Sequence, residues 1–188
     1  LQDRKLMKWE NFADGYNPFT GEASGPLTDY GEIHSGKAFA DARSKYKTGP
    51  NDFLFPLWIF YDKTHADLFA SNTATPAMAT YAGFNQACRH KYESSRCLIL
   101  IPNLSYGRGK GFSKSTASHL KLQDEHNCLK LFTTQMETIN EEGGIPMTVM
   151  GKKVQVKVWL HTVTGDMVGG NDVCGHNNNH SNTTHPFK

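Results

Sequence analysis

The sequence predicts an α/β protein, a mixed sheet laid down in the order strand-strand-strand-helix-strand behind a loop-rich N-terminal segment. Three observations carry this. A continuous apolar run, Phe53-Leu54-Phe55-Pro56-Leu57-Trp58-Ile59-Phe60-Tyr61, has the length and aromatic content of a buried central strand. Between Ser118 and Glu142, Leu120, Leu122, His126, Leu129, Phe132, Met136 and Ile139 recur near helical spacing, and Gly143-Gly144 ends the pattern. After it, Ile145–Met150 and Val154–Val163 flank Gly151-Lys152-Lys153 as a hairpin whose second arm alternates Val154, Val156, Val158 and Leu160 with Gln155, Lys157, Trp159 and His161.

Taken in order, residues 1–52 form a lead-in that Gly15, Pro18, Gly21, Gly25, Pro26, Gly31, Gly36 and Pro50 break too often for any long element, a short helix over Lys37–Tyr46 excepted. Residues 53–188 form the second region. Its first strand stops at Asp62-Lys63-Thr64-His65; Ala77–Phe84 is a second strand and Arg96–Ile101 a third, ended by Pro102-Asn103. Ser105–Ser115 is a basic loop. Its Gly107-Arg108-Gly109-Lys110-Gly111 lacks the spacing of a phosphate-binding loop, so a solvated loop brushing a nucleic-acid backbone is the simpler expectation.

With 188 residues the chain is long enough for one well-buried core. A net charge of +2 announces no strong electrostatic footprint, and local clustering decides the question of nucleic acid instead. No stretch has the roughly 20 apolar residues of a membrane span. Cys88, Cys97, Cys128 and Cys174 contain no C-x-x-C pair and read as reduced thiols of an intracellular compartment, the first three as small core hydrophobes. Sequons at Asn103, Asn179 and Asn182 would allow a secreted protein, but such tripeptides are common by chance. Leu1 in place of Met, with no signal peptide, suggests a piece of a longer chain.

Chemistry enters with two acids. Asp62 follows the first strand and Asp166 follows the last. Two-metal phosphoryl transfer needs carboxylates converging on a cation pair, and neighbouring strands hold such ligands rigidly. An aspartate after a strand is also a cheap turn former or helix N-cap, which leaves both readings open for each. His65 and Asp67 stand near Asp62 as tuning groups or as solvated surface. His119, Glu125 and His126 lie on the predicted helix without the H-E-x-x-H spacing of a zinc hydrolase.

Leu57-Trp58-Ile59-Phe60-Tyr61-Asp62-Lys63-Thr64-His65, with Pro76, Tyr81 and Asn85 beyond it, resembles the opening of the catalytic region in Plavaka-like, CACTA-superfamily and KDZ transposases. The run from Thr164 through Gly165-Asp166-Met167 to Cys174-Gly175-His176 resembles the second acidic motif of those families, and the strand ending at Pro102 resembles their hydrophobic strand. The likeness reaches from about Phe53 to the C-terminus. It implies an RNase H-like fold and a DDE-type site using Mg²⁺ or Mn²⁺ on DNA at transposon ends. Asp62 would be the first catalytic, metal-binding acid and Asp166 the second. The third would lie beyond Lys188, in which case the domain is truncated at its C-terminus and this chain alone inactive. The resemblance also implies a nuclear protein, with an oligomer left open for the full-length form.

The tail carries Cys174, His176, His180 and His185, thiolate and imidazole groups of the kind Zn²⁺ prefers, in a run of asparagines and at a spacing unlike the common zinc modules. The resemblance makes Cys174 and His176 the first members of a longer Cys/His cluster. The expected function is that of a fragment of a DDE transposase. The alternatives are a non-catalytic transposon-derived remnant binding DNA or protein, and a small zinc-binding module.

Overall fold

The structure, a computed structural model, describes residues 4–23, 32–62, 64–65, 73–102, 113–165 and 173–174. Its elements run β1 (Tyr16–Asn17), β2 (Glu22–Ala23), α1 (Lys37–Tyr46), β3 (Asp52–Tyr61), β4 (Thr64–His65), β5 (Thr73–Tyr81), α2 (Gln86–Arg89), β6 (Ser95–Pro102), α3 (Lys114–Glu141), β7 (Ile145–Val149) and β8 (Lys152–Thr164), with 3-10 turns at Trp9–Asn11, Ile33–Ser35 and Tyr92–Ser94. No helix among the described residues is long and apolar enough to cross a membrane. The chain is thus mixed α/β. A two-stranded ribbon, β1-β2, precedes a six-stranded sheet of order β4-β5-β3-β8-β7, in which β6 also pairs with β5.

Strand directions follow from the bonds. Ala82 N donates to Pro56 O at 2.9 Å, and β4 meets β5 as Thr64↔Ala74 and His65↔Thr73. Partners fall in number as the chain advances, so β3 and β5 are antiparallel, and β4 prolongs β3 in one register. On the other side of β3, Gln155 N donates to Asn51 O at 2.9 Å and Thr164 Oγ1 to Ile59 O at 3.4 Å. There the partners rise together: β8 runs parallel to β3. β7 pairs antiparallel with β8 from Ile145↔Val156 to Val149↔Lys152. Its two-residue loop takes Met150 and Gly151 to φ 48 and 80, the twist-matching hairpin turn that glycine makes accessible.

The chain divides into two compact units: 1–58, 79–96 and 135–162 in the first, 59–78, 97–134 and 163–188 in the second. In the first, Phe12, Tyr16, Phe39, Phe53, Leu54, Tyr81, Phe84, Val149, Val154 and Val156 form a single core cluster, so the N-terminal segment packs into the same interior as β3 and β8. Tyr81 is its hub, stacked on Phe55 at 4.9 Å and edge-on to Phe84 at 5.1 Å, with its hydroxyl 3.1 Å from that of Tyr16. Gly83 has no room for a side chain, since a Cβ would lie 2.6 Å from the Tyr16 ring. Segment 11–13 is tied on through the Phe12↔Phe84 bridge and the bonds Ala13 N to Gly83 O and Asn85 N to Asn11 O.

Several expectations shift. The second strand begins at Thr73 rather than Ala77, because its polar start pairs with β4; Ala82–Phe84 leave the strand to meet Phe12. The long helix begins a turn early: Ser113, part of the expected basic loop, accepts from Thr116 N at 3.1 Å and caps α3. Burial in β3 is interrupted: Phe55 and Trp58 are half-buried and Phe60 is 49% exposed, while Ile59 and Tyr61 are buried. Lys157 departs from the alternation of β8 by being buried, its ammonium donating to Asn140 O at 3.1 Å where α3 ends. Of the cysteines expected inside, Cys88 is buried, Cys128 half-buried and Cys97 exposed on β6. The predicted basic loop lies mostly outside the described residues, as do the three sequons.

Candidate functional site

Asp62 is the first residue after β3, half-buried in the second unit. Strand alternation turns the preceding Tyr61 inward, where its hydroxyl donates to Glu125 Oε2 at 3.5 Å; Tyr61 is 2% exposed and Glu125 5%. Lys121 Nζ lies 3.9 Å from Glu125 Oε1, one helical turn away. A carboxylate inside the helix face is therefore docked on the last residue of the strand, immediately before Asp62. At the same end of the sheet, the Thr164 hydroxyl holds the end of β8 to the carbonyl of Ile59.

Glu125 was named in the sequence only as a helix residue outside a zinc motif. A signal for its position existed: Leu122, Glu125, Leu129, Phe132 and Met136 follow a three-four repeat, so Glu125 occupies a place where the stripe calls for an apolar side chain. His119, also on α3, is exposed and His126 half-buried.

Asp166 lies outside the described residues, which end at Gly165 on that side; so do His176, His180, His185 and Asp67. Cys174 is exposed, in a helical turn with Val173. Among the described residues no three His, Cys, Asp or Glu side chains gather into a metal-holding group. Two residues quoted for the family resemblance have structural work of their own. Tyr81 centres the aromatic core, and Asn85 caps α2, its Oδ1 accepting from Cys88 N at 2.8 Å while its Nδ2 donates to Glu10 O at 2.8 Å.

The donor chemistry at Asp62 suits a hard divalent cation: a carboxylate at a strand end and not fully buried, able to share a Mg²⁺ that keeps several waters. No protein-family model matches the chain, and no curated protein or solved structure matches it either.

Proposed function

We propose that this chain is part of an RNase H-like, metal-dependent polynucleotidyl transferase of the DDE transposase kind, acting on DNA, with Asp62 and Asp166 as carboxylate ligands for Mg²⁺ or Mn²⁺. The observation that carries the reading is the parallel pairing of β3 with β8. The chain segments leaving two adjacent parallel strands emerge at one end of a sheet, and the first residues beyond those strands include Asp62 and, two positions after Thr164, Asp166. The element order supports it too: two strands added on one side of β3, a long helix, then a return strand beside β3 on its other side.

In this reading a bound cation pair would supply an activated oxygen nucleophile and stabilise the leaving oxygen. The chain's own part is to hold the two carboxylates at fixed separation. Tyr61, anchored inward on Glu125, fixes the strand end from which Asp62 projects. The Cys174 thiol and the His176 imidazole remain a proposal for Zn²⁺ under the same resemblance.

Manganese titration of the whole chain, read by calorimetry or electron spin resonance, tests the site. Asp62→Ala and Asp166→Ala should each weaken Mn²⁺ binding by about 10–100-fold or more, the range for losing support around a metal. Equal Mn²⁺ affinity in the parent and both variants would overturn the two-carboxylate reading. Loss of Zn²⁺ uptake in Cys174→Ser, with Mn²⁺ binding intact, would place the metal chemistry in the tail.

A further inference from the structure

A second feature lies in the first unit, around the turn that carries Phe19 to Gly21. Lys152 Nζ stands 4.5 Å from the centre of the Phe19 ring. Trp9 flanks the same ring at 5.9 Å and is itself 56% exposed. Arg43 and Lys47 close on the turn from α1 and the residue after it: a Cβ at Gly21 would meet Arg43 Cδ at 3.1 Å and Lys47 Cδ at 3.7 Å. Arg43 Nη1 donates to Gly21 O at 3.3 Å, leaving the rest of its donor fork uncommitted, and Lys47 Nζ donates to Asp52 O at 3.1 Å. Three cations, two from the end of α1 and one from β8, thus surround one short turn.

Among the described residues no carboxylate comes within ion-pair distance of Arg43, Lys47 or Lys152; the ion pairs are Lys8–Glu10, Lys37–Asp41, Arg89–Glu32 and Lys121–Glu125. The acid beside Lys47, Asp52, is 8% exposed and turned to the backbone, its Oδ2 accepting from Thr48 N at 2.9 Å and Gly49 N at 2.8 Å. Glu10, next to Trp9, is taken up by Lys8 at 3.6 Å. Cations without an ion-pair partner among the described residues, beside an open indole, suit a partner carrying phosphates at short intervals and flat rings between them.

We propose that the Phe19–Gly21 turn, with Arg43, Lys47, Lys152 and Trp9, is a binding surface for a single-stranded nucleic acid, the cations engaging successive phosphates and Trp9 stacking on a base. The proposal does not depend on the metal reading. A guanidinium and two ammonium groups track a backbone without reading sequence, so binding is sequence-tolerant and salt-sensitive.

The test is fluorescence anisotropy with a labelled short oligothymidylate and a duplex of equal length, over a salt series. The full chain should bind the single strand more tightly than the duplex. Arg43→Gln/Lys47→Gln/Lys152→Gln should lose about tenfold or more in affinity and lower the log–log salt slope by about 2, given roughly 0.7 per phosphate contact on a single strand. Lys152→Glu alone, at an exposed position, should weaken binding in the same direction if the triple variant fails to fold. Trp9→Ala should reduce single-strand binding while leaving the salt slope unchanged. The anisotropy is read in EDTA, without divalent cation, so this surface and the metal site can fail independently. Absence of binding at low salt, a duplex preferred to the single strand, or unchanged affinity and slope in Lys152→Glu would overturn the proposal.

Discussion

Pro56 sits in the middle of the central strand, where a missing N–H ought to leave a hole in the ladder. It is tolerated because it lies opposite the residue just beyond β5, Ala82, whose N–H bonds to Pro56 O while its carbonyl finds no donor from the proline. Arg89 supplies one: Nη1 donates to Ala82 O at 3.2 Å and to Phe84 O at 2.7 Å, and Nη2 pairs with Glu32 at 2.8 Å. Its guanidinium also lies 5.5 Å from the Trp58 ring. One side chain thus satisfies the backbone that a proline and a strand end leave open. Arg89→Met, which keeps the apolar stem and removes donors and charge, should destabilise the protein by about 2–4 kcal/mol, two carbonyls and a partly buried carboxylate losing their donor together. The shift in urea midpoint at constant slope measures it; a midpoint unchanged within error would show that water serves these carbonyls equally well.

At the scale of elements, the edge of β8 shows how a helix can finish a sheet. β7 ends its pairing at Ile145↔Val156, which leaves the next outward-facing backbone groups of β8 without a strand. The Asn140 side chain takes the place of one: Nδ2 donates to Val158 O at 2.6 Å, and Val158 N donates to Oδ1 at 2.9 Å. An amide is the side chain that can present a donor and an acceptor together, as a strand does. Asn140→Ala should cost about 1–3 kcal/mol by orphaning both groups, and amide hydrogen exchange at Val158 should quicken well beyond that at Val154, which stays paired to Met147. Equal protection at the two positions in the variant would refute the substitution of side chain for strand. Nothing in the sequence announced this. An asparagine in the last turn of a helix reads as a terminator, and its partner lies across the hairpin. A gap between Gly/Pro breakers disclosed α1, a continuous apolar run the heart of β3, and periodicity most of α3 and the second arm of the hairpin. Where partners rather than hydrophobicity set the limit, as at Thr73 with β4 and at Ser113 with Thr116, the boundaries moved. The same division holds for the candidate site. Asp62 was legible because a strand stops there; the buried Glu125 was not, because its meaning depends on Tyr61 across the helix–strand contact.

Over the whole molecule, the aromatic interior makes stability depend on pH at both ends of the scale. Burial pushes the Tyr16 hydroxyl up to about 12, a rise trimmed by its bond to Tyr81, and burial together with the neighbouring Tyr16 raises Tyr81 well above its ordinary value. Both must stay protonated in the folded state, so the unfolded chain releases their protons first. Stability is full below pH 10 and falls as pH climbs from 10 towards 12. The acidic side has the opposite sign with the same cause. Burial lowers His34, which stacks on Tyr16 at 5.2 Å, against the opposing influence of Glu32 and the backbone of Asp14; burial alone lowers His161, which meets Trp159 at 4.8 Å. Nδ1 of each histidine is enclosed without a hydrogen-bond partner among the described residues. Below the ordinary 6.5 the unfolded chain takes up these protons more readily than the folded one, so stability declines as pH drops through 6.5 and levels off once it passes the lowered folded values. Thermal midpoints across pH should therefore form a plateau from near neutrality to about pH 10, with a shoulder of loss on the acid side that His161→Gln and His34→Gln each reduce. A midpoint flat from pH 7 to pH 5 in the parent would mean that the two imidazoles are as open to protons folded as unfolded, and that the enclosed Nδ1 atoms have water within reach.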